Sequence, residues 1–360
     1  MFQFDIFFGR KQMTKNYLKL DGIDFVEFSA DSPEYLHKLF LEFGFSKIAK
    51  HKSKNIDMYV QNGIVFTLNY EQGSFGYKFQ EAHGPSISAM GWRVEDAMFA
   101  HNEAVKRGAK DCNSGDYFYD NGDQVEAIMG IGESIIYFVD QKETPEFFYS
   151  RFGFEKLQDP VVVKDKGFML IDHLTNNVYK GTMKDWAQFY KDVFGFEEVR
   201  YFDIKGKKTG LTSFALKSPC GKFSIPINEA DEKKSQINEY LDEYNGPGVQ
   251  HLAFLTKDLL SSIRQLKGTS INCLDIDPEY YKNVFNRVPG VKEDKHEIEK
   301  LNVLVDGDEE GYLLQIFTKN IVGPIFIEMI QRENHLSFGE GNFQALFDSI
   351  ERDQMKRGVL

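Results

Sequence analysis

Two histidines stand in the middle of apolar, strand-like runs: His173 in LIDHLTNNV and His251 in GVQHLAFLT. A buried histidine is usually a neutral imidazole bonded to a neighbour, but imidazole is also the commonest protein ligand for a metal ion. Glu328 lies in a third such run, VGPIFIEMIQR. Alternation there puts Phe326, Glu328 and Ile330 on one face and Ile325, Ile327 and Met329 on the other. A carboxylate in a strand that is apolar on both sides needs a cation or hydrogen bonds to offset its lost hydration. The runs that could face it, LTSFALK and YLLQIFT, offer neutral Ser213 and Gln315 instead of Arg or Lys, which favours a divalent metal. Two histidines and one carboxylate leave three coordination positions open, the facial triad of non-heme Fe(II) oxygenases. Zinc takes the same three ligands in hydrolases, although the chain lacks their His-Glu-x-x-His helix.

An internal repeat must position these residues. Four segments align: GIDFVEFSA from Gly22, SISAMGWRV from Ser86, LIDHLTNNV from Leu170 and GVQHLAFLT from Gly248. Their equivalent positions hold Phe25, Ala89, His173 and His251, so two units carry a possible ligand and two do not. Amphipathic helices follow the first and third segments, and both end at Phe-Gly-Phe, where glycine suits a left-handed terminal position. Short strands come next, as in EVRYFDIKG and LTSFALK. The repeating unit is a strand, a helix and then several strands, used four times. Strict alternation within GVQHLAFLT turns Gln250 away from the face of His251.

These patterns give an N-terminal arm over 1–20, a first domain over 21–145, a charged, proline-interrupted connection over 146–164, and a second domain over 165–360. The second domain ends in FGEGNF and a helix whose inward face is Phe343, Leu346, Phe347 and Ile350. Gly339 and Gly341 read as flexible points of a cover over an open barrel.

The chain of 360 residues carries a net charge of −12 and no dense Lys/Arg tract, which argues against nucleic acid and anionic membranes as partners. Its three cysteines are far apart and form no thiolate site; a reducing, cytoplasmic setting is expected. No apolar run reaches the length of a membrane span, and the start is not a convincing signal peptide, with Met13 a possible alternative start. With 33 Phe and 17 Tyr, apolar aromatic pockets are easy to build. A homo-oligomer is expected.

From about Gly22 to Leu360 the chain resembles the 4-hydroxyphenylpyruvate dioxygenases of the vicinal oxygen chelate superfamily. The stretches KHKSKN, EAHGPS, IDHLTNNVYKG, RYFDIKG, GLTS, IPINE, KSQI, GVQHLAFLT, LLQIF, GPIFIEMIQR and FGEGNF carry the likeness. It implies an α+β fold of four βαβββ modules, paired into two half-open barrels of which only the second is catalytic. It implies one Fe(II) per subunit on His173, His251 and Glu328. Ser213, Asn228 and Gln315 match catalytic pocket residues; Gln236, Gln250, Phe317, Phe326, Phe338, Asn342 and Phe343 match substrate contacts.

The implied reaction takes 4-hydroxyphenylpyruvate and O2 to homogentisate and CO2, in tyrosine and phenylalanine catabolism. The substrate's carboxylate and keto oxygen would chelate the metal, and the protein's task would be orientation and exclusion of water. Three rivals share the fold: 4-hydroxymandelate synthase, which oxidises the benzylic carbon; an extradiol ring-cleaving dioxygenase; and a non-catalytic ligand-binding member. The complete ligand set speaks against the last, and the long match against the ring-cleaving enzyme. The FGEGNF tail favours ring hydroxylation over the synthase.

Overall fold

The computed structural model describes residues 15–140, 150, 152–205, 210–230 and 235–358. Most of the expected N-terminal arm, including Met13, lies outside the described residues; Leu18 and Leu20 at its end are buried. The first repeat runs β1 (Leu20–Ser29), α1 (Glu34–Glu42), β2 (Ser46–His51), β3 (Ile56–Gln61) and β4 (Ile64–Asn69). After α2 (Phe75–His83), the second runs β5 (Ser86–Val94), α3 (Ala97–Lys106), β6 (Ala127–Met129) and β7 (Ile135–Asp140). β8 (Phe154–Val161) follows. The third repeat is β9 (Phe168–Asn177), α4 (Met183–Phe194), β10 (Glu197–Lys205), β11 (Gly210–Lys217) and β12 (Ser224–Ala230). After α5 (Gln236–Glu243), the fourth opens with β13 (Gly248–Thr256) and α6 (Leu259–Gln265). It adds α7 (Pro278–Arg287) and α8 (Lys295–Lys300) before β14 (Leu304–Gly307), β15 (Tyr312–Phe317) and β16 (Phe326–Glu333). A C-terminal helix, α9 (Phe343–Arg357), ends the described chain.

The strands form two eight-stranded sheets, ordered β6-β7-β5-β1-β4-β3-β2-β8 and β10-β11-β12-β9-β13-β16-β15-β14. In each, two repeats meet where their first strands pair antiparallel, β1 with β5 and β9 with β13. The stretch expected as a bare connection over 146–164 is partly sheet. Residues 154–161 pair with β2 as an added edge strand, and Pro160 sits where an edge tolerates a missing N–H. Both helices ending at Phe-Gly-Phe do so as expected: Gly44 has φ 91° and Gly195 has φ 83° and ψ 26°.

The central pairings share a feature that alternation alone does not predict. Register slips by one at six places, each leaving one residue without an opposite partner. Two of them, Asp21 and Met169, lie near the starts of β1 and β9; the other four, Asp24, Ser88, Asp172 and Gln250, each stand immediately before the position matched in the repeat: Phe25, Ala89, His173 and His251. The repeat is thus conserved down to the position of its bulges.

Helices cover the convex faces. In α4, Met183, Ala187, Tyr190, Val193 and Phe194 are buried, and Phe194 packs against Trp92 of the first sheet with ring centroids 4.8 Å apart. Phe254 of β13 likewise meets Phe43, Phe45 and Phe66. One apolar core therefore runs through both halves. Each large side chain so buried contributes about 1.5–3 kcal/mol.

The two concave faces differ. The first is filled by Phe25, Tyr117, Tyr137, Phe152 and Phe154, among others. Inside it the buried Glu27 carboxylate accepts hydrogen bonds from Ser88 (2.7 Å) and Tyr117. Burial and the nearby Asp116 raise the Glu27 pKa to about 7. The second concave face is open. No helix of the described residues is long and apolar enough to cross a membrane.

Candidate active site

β9 and β13 lie side by side at the centre of the second sheet, and β16 runs parallel to β13. Each bulge turns its histidine inward together with the residue before it. His173 Nδ1 bonds Asp172 Oδ2 at 2.8 Å, and His251 Nδ1 bonds Gln250 Oε1 at 3.0 Å. A ring held through Nδ1 presents Nε2 to the cavity, the arrangement that orients metal-binding imidazoles. The two Nε2 atoms are 3.3 Å apart. Glu328 Oε2 lies 3.1 Å from the first and 3.4 Å from the second. All three side chains are buried. Among the described residues this is the one group of three or more His, Cys, Asp or Glu whose donor atoms converge in this way.

The spacing fits a metal ion. Donors about 2.1 Å from an ion are about 3.0 Å apart in an octahedron and about 3.4 Å apart in a tetrahedron. Electrostatics agree. Burial disfavours the imidazolium of His173, yet the adjacent Glu328 and Asp172 carboxylates lift its pKa to about 9. Burial likewise opposes charge on Glu328, but His173 and His251 hold its pKa down to about 2. His251 is pushed below its ordinary value, by burial first. The site stabilises one buried positive charge, which a divalent ion supplies once the proton has left.

Around the triad is some 660 Å³ of empty space, mouth included. Of the expected catalytic and contact residues, Ser213, Asn228, Gln236, Gln250 and Gln315 line it with polar groups. Phe317, Phe326, Phe338 and Phe343 line it with rings. Phe326 stacks on His251 with centroids 4.7 Å apart, and Phe338 stands edge-on to His173 at 5.7 Å. Gln315 Nε2 donates to Glu328 Oε1 at 3.2 Å. Gln250 faces the cavity beside His251, contrary to simple alternation, because the bulge at Gln250 reverses the parity of the strand. Val249 goes to the helix-side core for the same reason.

Asn342 does not line the cavity. Its Nδ2 donates to Gln315 Oε1 at 2.9 Å, and its Oδ1 accepts from Tyr280 (2.6 Å) and Arg287 (3.2 Å). It holds Gln315 rather than reaching the space beyond. The two tail glycines are also more constrained than flexible points. Gly339 has φ 78°, and a Cβ there would sit 1.8 Å from Gln315 Oε1; one at Gly341 would sit 1.5 Å from Arg287 Nη1. Leu346, Phe347 and Ile350 of α9 close the far wall, as their helical spacing predicts. Sequence reasoning missed Asp172 and Arg332. Both had a signal: Asp172 adjoins a histidine, and Arg332 shares the strand face of Glu328 by alternation.

Two curled sheets of βαβββ repeats, one of them enclosing a His-His-Glu centre, define a vicinal oxygen chelate protein. Residues 14–153 match the family described as hydroxyphenylpyruvate dioxygenase, HPPD, N-terminal; residues 170–313 match the glyoxalase/bleomycin resistance protein/dioxygenase superfamily. Protein MelA of Shewanella colwelliana is 55% identical over 352 residues, covering 96% of this chain and 99% of that one. A 4-hydroxyphenylpyruvate dioxygenase of Legionella pneumophila is 43% identical over 351 residues, covering 95% and 97%. The fold also matches a mutant of 4-hydroxymandelate synthase from Streptomyces coelicolor, with a TM-score of 0.81, 23% identity, and 93% and 99% coverage. The chain belongs to the 4-hydroxyphenylpyruvate dioxygenase family.

Proposed function

We propose that the second half-barrel converts 4-hydroxyphenylpyruvate and O2 to homogentisate and CO2, with one Fe(II) held by His173, His251 and Glu328. The observation that carries this is the convergence of three buried donors in a cavity walled by phenylalanines and carboxamides. Bound Fe(II) would supply open coordination positions for the 2-oxo acid and O2, while the substrate supplies the net electrons.

The chain's own residues do the rest. Phe317, Phe326, Phe338 and Phe343 give flat apolar walls for an aromatic ring and keep water out. Asn228, Gln236, Gln250 and Ser213 offer neutral donors and acceptors that can hold a phenol or carboxylate without ionising. Gln315 steadies the Glu328 carboxylate from the side opposite the histidines and reaches into the cavity. No acid-base pair is required, since the substrate carries its own electron source in the 2-oxo acid that loses CO2. The first half-barrel has its concave face filled and takes no part in the chemistry. As 4-hydroxyphenylpyruvate is the 2-oxo acid of tyrosine, the reaction belongs to tyrosine and phenylalanine breakdown. The proposal extends to a cytoplasmic homo-oligomer, with neither nucleic acid nor membrane as partner.

The test is a product assay by chromatography, run on iron-loaded protein with 4-hydroxyphenylpyruvate. Homogentisate in step with O2 consumed is expected. Hydroxymandelate, a ring-cleaved product or no product would each replace this reading with one of its rivals.

A further inference from the structure

Arg332 sits four residues beyond Glu328 on β16 and touches two things at once. Its Nε and Nη2 donate to Asp172 Oδ1 and Oδ2, both at 2.8 Å, forming a two-pronged pair with the carboxylate that orients His173. Its Nη1 donates to the backbone carbonyls of His335 (3.1 Å) and Ser337 (2.5 Å), the segment that turns into Phe338. The guanidinium is one rigid plane whose N–H groups have fixed directions. A shift of the Asp172 carboxylate therefore has to be matched by a shift of the 335–337 backbone, or bonds are lost.

A second path joins the same two parts. The tail places Gly339 against Gln315, and Asn342 donates to Gln315, which in turn donates to Glu328. Phe338 itself lies edge-on to the His173 ring. The tail thus meets the triad through its histidine side and its carboxylate side.

We infer that Arg332 is a positioning residue that couples closure of the 335–343 segment to the geometry of the metal centre. Closure then favours the ligand-ready orientation of His173, and a metal on His173 favours closure. The coupling is reciprocal, as any linkage between two equilibria must be. The inference rests on the proposed metal centre, and the experiment separates the two.

Hydrogen exchange of residues 335–343 is measured by mass spectrometry on the full chain, metal-free and saturated with Co(II), alongside a Co(II) titration. In the wild type, Co(II) should slow exchange in that segment at least several-fold. Asp172→Asn touches no tail atom but sets an amide N–H against the guanidinium. It should weaken Co(II) binding about 10–100-fold, as loss of an orienting partner does. At saturating Co(II) it should also lose the metal-induced slowing. Arg332→Lys keeps one charge beside Asp172 and loses the fork. It should bind Co(II) more nearly as the wild type does, yet show no metal-induced slowing of the segment. A merely structural arginine would change overall stability in both variants and leave the slowing intact. Wild-type slowing in Asp172→Asn, with Co(II) bound, would overturn the coupling. Failure of the wild type to bind one Co(II), or unchanged binding in His173→Ala, would instead overturn the metal centre, and the coupling with it.

Discussion

His173 Nε2 and His251 Nε2 face one another at 3.3 Å from neighbouring strands, although 78 residues separate them in sequence. Both Nε2 atoms converge on the Glu328 carboxylate, and a divalent ion would satisfy all three donors. Alanine at His173, His251 or Glu328 should lower iron content to under about a tenth per chain and remove homogentisate formation, since an incomplete ligand set leaves buried charge uncompensated. Metal analysis and the product assay check this; near-normal iron in any one variant would sink the assignment of that ligand. Phe25→His should bind no iron in the first half-barrel, where Ala89 holds the matching position and aromatic rings fill the space.

Gln315→Leu and Asn228→Leu test the polar wall. Both side chains line the cavity, and neither is a ligand of the proposed centre. Turnover should fall at least about tenfold while iron stays within about twofold of the wild type, because each loses a hydrogen bond worth roughly 1–3 kcal/mol at a buried site. Loss of iron in proportion to activity would make them structural supports instead.

Gly339→Ala is a steric test of the tail. The added methyl would meet Gln315 Oε1 in a backbone conformation of φ 78° that L residues rarely adopt. The left-handed conformation alone costs about 1–2 kcal/mol. The variant should stay folded and keep iron, with homogentisate formed per O2 consumed reduced because the Gln315 amide is displaced. An unchanged ratio in a folded variant would show that the tail can retreat from Gln315 without effect.

Glu27 makes a pH prediction that involves no metal. Its folded pKa of about 7 lies above the ordinary 4.5, so the folded state binds this proton more tightly than the unfolded state does. Its contribution to stability is complete below pH 4.5 and is lost as the pH rises to about 7. The loss is of the order of 3 kcal/mol at about 1.4 kcal/mol per pKa unit. Denaturant melts across that range should show the decline, and Glu27→Gln should flatten it. A Gln variant with the wild-type slope would place the titration elsewhere.

Much of this was legible because the chain repeats itself. Phe25, Ala89, His173 and His251 could be matched from sequence, and the bulges confirm that the match is structural. Glu328 stood out as a carboxylate on a regular strand, where alternation holds: Phe326 and Glu328 do share the cavity face. The same rule failed at Gln250, since a bulge depends on how two strands pair and leaves no mark on either one alone. Asn342 was misplaced by one layer because a tail's path over a cavity depends on contacts with Tyr280 and Arg287, distant in sequence. The edge strand at 154–161 was hidden by Pro160 and its charges, which suit an edge and also suit a loop.

A regular strand directs only every second residue to a given side, so a functional group and the group that steers it must normally come from different segments. The bulges at Asp172 and Gln250 lift that restriction: steering group and ligand become neighbours in the chain, encoded by adjacent codons. Copying such a module copies the pair intact. Each copy can then gain or lose a metal-binding position by substitutions at two consecutive residues, without disturbing the helix-side packing that keeps the sheet curled. The pairs Asp24-Phe25 and Ser88-Ala89 hold the same places in the filled half-barrel, so one architecture serves both as a reaction vessel and as its solid counterpart.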